Sequence, residues 1–212
     1  MFRTTAFAAI LLAFTSPAAA VEEDTQVWLT SAAEVPLANS LAVSVDASQR
    51  FRSSAAGDDL QLLRVGLQYE AADWLLLGGG IAYVAGNSAD ETRLFQSVTL
   101  RTGRLLFRSQ LEERFFDGAA RPQLRGRQRV QLTVPLDDND RIQPYVELNY
   151  ILQHQDPMLD NRVDHWRLKM DWRHKFTSRL ELSAAYTALL APRPNAPDRL
   201  SHVPSLSVMY SF

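Results

Sequence analysis

From Val21 onward the chain alternates polar and apolar residues with a period of two, in segments of ten to thirteen residues. Leu106 to Phe116 sets Arg108, Gln110, Glu112 and Arg114 against Phe107, Ser109, Leu111, Glu113 and Phe115. Leu124 to Leu136 opposes Arg125, Arg127, Arg129, Gln131 and Thr133 to Leu124, Gly126, Gln128, Val130, Leu132 and Val134. Arg162 to Arg173 opposes His165, Arg167, Lys169, Asp171 and Arg173 to Trp166, Leu168, Met170 and Trp172. Successive side chains of a strand point to opposite faces, so each segment reads as a strand with one apolar and one polar side. The usual globular strand has about 5–6 residues, whereas a tilted strand crossing a bilayer needs about 9–11.

Eleven segments carry the pattern: Gln26–Val35, Leu41–Arg52, Leu60–Glu70, Leu75–Ala85, Glu91–Thr102, Leu105–Phe116, Gln123–Pro135, Arg141–Leu152, Arg162–Arg173, Arg179–Leu190 and Ser201–Phe212. Short connections (Leu37–Ser40, Ala71–Trp74, Gly103–Arg104, Asp137–Asp140, His174–Ser178) alternate with longer ones (Ser53–Asp59, Gly86–Asp90, Asp117–Pro122, Gln153–Asn161, Ala191–Leu200). Short turns at one rim and long loops at the other are the layout of outer-membrane barrels. The expected fold is therefore all-β: a transmembrane antiparallel up-and-down β-barrel of about ten strands, with eight or twelve as alternatives. Eleven segments conflict with an even strand number. Loop parity runs Ser201–Phe212 toward the short-turn rim and starts Gln26–Val35 at the other, so that first segment is expected to be incomplete or one strand to be wrongly split.

Residues 1–20, MFRTTAFAAILLAFTSPAAA, have a basic start at Arg3, an apolar run from Ala6 to Phe14 and small residues at Ala18–Ala20. That is the layout of a cleaved secretory signal, which divides the chain into a signal peptide (1–20) and a barrel domain (21–212). The longest other apolar window, Trp74 to Ala85, contains Gly78–Gly79–Gly80 and is too short for a membrane helix. Such a glycine run in a strand suits tight curvature or the close approach of a lumen side chain. Aromatic residues near the segment ends, among them Trp28, Phe51, Tyr69, Trp74, Tyr83, Phe115, Tyr150, Trp166, Trp172 and Tyr210, fit interfacial girdles. The last segment ends on Tyr210 and Phe212. A final amphipathic strand closed by an aromatic residue looks like the signal read by the barrel assembly machinery. The expected address is the cell outer membrane of a Gram-negative bacterium, with outer-membrane lipid and that machinery as partners.

Several motifs recur in a familiar order: Gln26-x-Trp28, Arg50-Phe51, Arg64-x-Gly66-x-x-Tyr69, Gly79-Gly80 with Tyr83, and Arg93-x-x-Gln96. They are followed by Arg108-x-Gln110-Leu111-Glu112-x-Arg114-Phe115, Arg125-x-Arg127-x-Arg129, and the strand of Pro144, Tyr145 and Glu147. In this order and spacing the chain resembles the bacterial outer-membrane barrels catalogued as domain of unknown function 2490, from about Gln26 to Phe212. The resemblance implies fold and address. The family has no agreed activity, so it implies no site.

With the apolar side on lipid, the polar side faces the lumen. The bases there are Arg50, Arg52, Arg64, Arg93, Arg101, Arg108, Arg114, Arg125, Arg127, Arg129, Arg167, Lys169 and Arg173. They outnumber the acids Asp46, Glu70, Glu91, Glu112, Glu147, Asp171 and Glu181, although the formal net charge is −2. That net charge speaks against a nucleic-acid partner. The basic residues are almost all arginine, whose planar guanidinium pairs two-pronged with carboxylates and suits ladders inside a narrow barrel. The expected polar network is Arg64, Arg108, Glu112, Arg114, Arg125, Arg127, Arg129, Glu147, Arg167 and Asp171. Within it, Arg108, Glu112 and Arg114 are expected to meet Arg125, Arg127, Arg129 or Glu147. A barrel of this size is mostly filled by side chains, which speaks against a wide general porin and leaves room for a narrow path for a small anionic solute.

Cysteine is absent, which removes disulfides, thiolate metal sites and cysteine nucleophiles. The four histidines, His154, His165, His174 and His202, form no two-His zinc motif. Asp137-Asp138-Asn139-Asp140 lacks the glycine and terminal glutamate of a calcium loop and reads as a polar turn. No catalytic, cofactor or metal residue is assigned. The expected function is non-enzymatic: a structural barrel or a narrow anion-preferring conduit. Two alternatives are a lipid-modifying hydrolase, for which His154, His165 and Ser183 are the residues to inspect, and a secreted soluble β-sandwich that binds a ligand.

Overall fold

The structure, a computed structural model, describes residues 21–53, 57–86 and 90–212. The expected signal peptide lies outside these residues. The described residues form strands and turns, with no helix among them. The strands are β1 (Glu22–Thr25), β2 (Val27–Ala38), β3 (Leu41–Phe51), β4 (Leu60–Ala72), β5 (Leu75–Gly86), β6 (Glu91–Thr102), β7 (Leu105–Phe116), β8 (Gln123–Leu132), β9 (Val134–Pro135), β10 (Asp140–Ile142), β11 (Tyr145–Gln153), β12 (Arg162–Lys175), β13 (Leu180–Ala191) and β14 (Arg199–Ser211).

Three of the breaks are local. β1 and β2 pair with β14 in one unbroken register, Thr25 opposite His202 and Trp28 opposite Ser205. The gap falls beside Pro204, which has no N–H to give the ladder. β10 and β11 likewise keep one register against β12 and part at Pro144, where the Gln143 N–H donates to the Asp171 carbonyl at 2.7 Å. β8 and β9 part at Thr133, whose N–H turns to the Arg104 carbonyl at 2.8 Å. The wall therefore has eleven strands, one for each alternating segment of the sequence.

Neighbours are antiparallel from β2 round to β14. The ring then closes by a parallel pairing of β14 with β2, from Ser205–Trp28 to Ser211–Glu34. This settles the parity conflict. The count of about ten is one short, and Gln26–Val35 is a full wall strand. In an up-and-down ring an odd count makes the first and last strands run the same way, so the seam is parallel. Short connections sit at the rim where β14 ends, and longer ones at the rim where β1 begins. At the short rim, Gly103 takes a left-handed φ of 56° that lets β6 turn straight into β7.

A cysteine pair tests the seam. Thr30 faces Ser207 across it, and the native chain offers no competing thiol. Oxidising Thr30→Cys/Ser207→Cys should staple the first strand to the last and give a reductant-sensitive shift in gel mobility. The pair Thr30→Cys/Ser201→Cys, out of register, should not. Equal cross-linking of both pairs, or of neither, rejects the parallel closure.

Burial is the reverse of that in a water-soluble protein. Leu206 is 60% exposed and Leu168 58%, while Glu147 is 2% and Asn149 0% exposed. Outward-facing leucine, valine, tryptophan and tyrosine form an apolar belt around the wall, and charged residues fill the inside. Exposed apolar area on this scale is unfavourable in water and suited to hydrocarbon. The alternation is thus that of a transmembrane barrel. Phe51, Tyr69, Trp74, Tyr83, Phe115, Trp166 and Trp172 all lie on the outside, as expected of girdle residues. Trp28 is the exception, because its position on β2 puts the ring in the lumen under Arg50.

Candidate functional site in the barrel lumen

Alternation on β7, β8, β11 and β12 sends one row of charged side chains per strand into the lumen. At the centre two carboxylates each collect several guanidinium groups. Glu112 accepts from Arg125 Nε at 2.9 Å and Nη2 at 2.5 Å, and from Arg127 Nη1 and Gln110 Nε2, both at 2.6 Å. Glu147 accepts from Arg127 Nη2 at 2.9 Å, Arg129 Nη2 at 2.8 Å, Arg167 Nη1 at 3.2 Å and Asn149 Nδ2 at 3.2 Å. Arg127 bridges the two acids. Arg125 also reaches Asp164 at 2.9 Å, and Asp164 meets His165 Nδ1 at 3.1 Å. Charges this far from water persist only when paired and hydrogen-bonded, and the lattice satisfies that condition for both glutamates.

The expected residues divide into separate groups. Glu112, Arg125, Arg127, Arg129, Glu147 and Arg167 come together in this lattice. Arg114 instead joins Glu91 on β6 at 2.5 Å, alongside Arg93 at 2.6 Å, and donates to Gln123 at 2.5 Å. A guanidinium cannot pair with the arginines of β8, so Arg114 takes the acid on its other side. Arg108 has no ion-pair partner among the described residues. Opposite Arg129 on β8, it faces a like charge. Arg64 lies 3.7 Å from Asp46, its guanidinium over the Phe95 ring at 5.6 Å. Asp171 belongs to a third group with Lys169 at 3.2 Å and Arg173 at 3.1 Å, and Arg173 continues to Glu181 at 3.1 Å. Tyr210 and Phe212 lie outside the seam with ring centroids 4.8 Å apart, and the Phe212 N–H donates to the Glu34 carbonyl at 3.0 Å.

The sequence reading missed Asp164 and Trp28. The register shift at Asn149/Tyr150 inserts one residue between β11 and β12, so Asp164 and His165 both enter the barrel. The only hint in the sequence is the loss of clean alternation before His165. Trp28 has lumen parity, but an aromatic residue near a strand end reads as a girdle residue until its neighbours are known. Here those neighbours are cations: Arg50 stands 4.2 Å above the ring and Arg167 5.7 Å from it.

The wall facing the lattice is apolar and thin. Leu62, Ala82, Val84 and Phe95 are buried there, with Gly66, Gly78 and Gly80 among them on lumen-facing positions. A Cβ on Gly80 would stand 2.2 Å from the Val65 carbonyl oxygen and 2.7 Å from Phe95 Cζ. The glycine lets Phe95 lie flat against the wall, in keeping with the close approach expected of the Gly78–Gly80 run.

Open space remains beside the lattice. Toward the short-turn rim lie a cavity of about 340 Å³ and another of about 370 Å³, which share Ala32, Asp46, Arg64, Arg108 and Met209. A third, of about 210 Å³, lies toward the long-loop rim and meets the second at Trp28. Trp28, held between Arg50 and Arg167, is the partition between the two ends of the lumen.

The residues proposed for hydrolysis are held in other contacts. Ser183 Oγ pairs with Ser207 Oγ at 2.5 Å, and His165 with Asp164. His154 is buried in the loop after β11, where Nδ1 accepts the Asp156 N–H at 3.1 Å. Asp137 accepts the N–H groups of Asn139 and Asp140 at 2.8 and 2.7 Å. These bonds hold its carboxyl below the usual range and explain the segment as a turn.

Comparison with known proteins agrees with this architecture. The chain is similar to the translocator domain of autotransporter NalP from Neisseria meningitidis, with a TM-score of 0.50 at 15% identity over 73% of this chain and 70% of that one. At that identity the likeness shows the fold. It is also similar, with a TM-score of 0.46 at 12% identity over 82% of this chain and 78% of the other, to a chain from a study of in-meso crystallization of membrane proteins. No curated protein matches. A family model does match, across residues 25–199 and hence through nearly all the wall strands, so the chain belongs to the family described as protein of unknown function (DUF2490).

Proposed function

We propose that this protein is a non-enzymatic outer-membrane barrel whose lumen is a narrow conduit preferring small anions. The observation that carries the reading is the placement of uncompensated arginines along the open side of the lumen. Arg108, without an acid partner among the described residues, lines both cavities toward the short-turn rim. Arg50, likewise without one, lines the cavity beyond Trp28. A narrow, low-dielectric passage focuses the field of such groups and concentrates ions of opposite sign. The lattice around Glu112 and Glu147 fills the other side, which leaves a path too restricted for a general porin.

The apolar belt supplies the membrane address. By analogy with outer-membrane barrels, the short turns face the periplasm and Tyr210 and Phe212 present the assembly signal there. Planar-bilayer recording tests the conduit. Small steps with a reversal potential shifted toward chloride in a potassium chloride gradient are expected, and Trp28→Ala should enlarge them severalfold. Silence at all voltages, in both the native protein and Trp28→Ala, refutes conduction and leaves a closed structural barrel.

A further inference from the structure

The third cavity has a chemistry of its own. Its walls carry Arg50, Arg52, Arg167 and Arg199, with Gln26 and Ser201 as the neutral polar groups. Those neutral groups are already engaged. Gln26 donates to Asp24 at 2.9 Å and Ser201 donates to Asp24 at 3.1 Å, while Trp28 Nε1 donates to Gln26 at 3.1 Å. Asp24 also accepts from Ser53, so it hydrogen-bonds three neutral donors, and its charge acts on Arg52 and Arg199 from beyond ion-pair distance. Glu22 lies toward Arg199, at 3.8 Å, but is held closer by Arg193 at 2.8 Å. Arg167 shares Glu147 with two other arginines. Arg50 has no acid at all within ion-pair distance among the described residues, and the Nε atoms of Arg50 and Arg167 are buried without a hydrogen-bond partner. A buried guanidinium with an unmet N–H is costly, and two of them, with two further guanidinium groups facing the same space, call for an anion.

We propose that this pocket binds a small tetrahedral oxyanion of the phosphate class. The proposal rests on the reading of a lumen that admits anions, but not on that lumen conducting. A guanidinium presents two parallel N–H groups that match two oxygens of one anion. A carboxylate satisfies one such fork. Guanidinium groups approaching from β3, β12 and β14 need an anion with oxygens pointing in several directions, which phosphate has and chloride lacks. A volume of about 210 Å³ holds about seven waters at their liquid volume of roughly 30 Å³ each. It therefore takes a phosphate with part of its hydration shell. The pocket opens inside the ring, toward the long-loop rim, so the ion is a soluble one.

The test is calorimetric titration of the folded protein in zwitterionic detergent with inorganic phosphate at low salt. Saturable binding is expected, weakened at least tenfold in Arg50→Gln and in Arg199→Gln, and unchanged in Arg101→Gln at the opposite rim. Heat-modifiable gel mobility verifies that each variant is folded, and Arg199, near the rim, remains usable if Arg50→Gln does not assemble. No binding by the folded protein, or binding indifferent to both substitutions, overturns the site. Adding phosphatidic acid to the micelles separates the sources of phosphate. It should leave the titration unchanged, whereas displacement by the lipid would overturn a lumenal site in favour of a headgroup site at the rim. Phosphate binding without bilayer current would refute the conduit and leave this site standing. Current without phosphate binding would refute the site alone.

Discussion

Glu147→Gln should be among the most damaging single substitutions in this protein, costing about 3–5 kcal/mol, the range for removing one partner of a buried ion pair. The side chain is almost wholly buried and accepts from three arginines and one asparagine. Glutamine keeps the shape and one acceptor oxygen but removes the charge. Arg127 retains Glu112, but Arg129 and Arg167 have no second ion-pair partner among the described residues. Arg129 and Arg167 would then stand beside Arg127 with no acid of their own, and the one remaining counter-charge, Glu112, is already shared by Arg125 and Arg127. The measurement is the urea concentration at which the compact, unheated gel band gives way to the unfolded one. Arg129→Met should cost less, because Glu147 keeps Arg127 and Arg167. Glu70→Gln, at the half-exposed Arg101 pair, should fall within the 0–1 kcal/mol of a surface ion pair. If Glu147→Gln unfolds at the same urea concentration as Glu70→Gln, the lattice does not stabilise the barrel.

Gly80→Ala should be comparably severe, and its neighbours should not be. The added methyl would meet the Val65 carbonyl oxygen at 2.2 Å, which is backbone of the adjacent strand and cannot swing away. Relief requires β4 and β5 to part where Gly66 faces Gly80, so the cost should reach or exceed the ~3 kcal/mol upper end of ordinary overpacking. At Gly78 the contact is Ser97 Oγ at 2.8 Å, a side-chain end that can rotate. At Gly79 the nearest atom is the Phe95 carbonyl oxygen, an ordinary contact at 3.4 Å. The same urea assay on the three alanine variants should rank Gly80 far below the other two. Phe95→Ala added to Gly80→Ala should rescue little. Full rescue would mean that the ring, and not the backbone, dictates the glycine.

The two substitutions probe opposite walls of one lumen. The lattice wall is stabilised by charge pairing and the glycine wall by close backbone approach. Open space lies beside the lattice, from Gly66, Gly78 and Phe95 on the glycine wall round to the seam side at Trp28. That asymmetry makes the proposed conduit eccentric and places Arg50 and Arg108 on it.

The strand wall was legible in the sequence because its signal is local. A side chain's face follows from its parity, so Phe107 and Arg108 separate on reading alone, and the limits Glu91–Thr102 and Leu105–Phe116 coincide with β6 and β7. Sequence also showed the charged lumen and named most members of the lattice, since neighbouring strands in a meander must pair and their inward rows must meet. Relations between distant strands were not legible. Parity said that Gln26–Val35 and Ser201–Phe212 run the same way. Only the closed ring shows them hydrogen-bonded in parallel, because closure depends on how far eleven strands curl. Alternation put Arg114 inward, but the acid expected for it was Glu147, whereas distance across the ladder gives it Glu91. It could not foresee that a shift at Asn149/Tyr150 brings Asp164 inside, nor that Trp28 leaves the girdle to lie between Arg50 and Arg167. Period two is a property of each strand by itself, whereas pairing of charges and the shape of the remaining space belong to the closed ring.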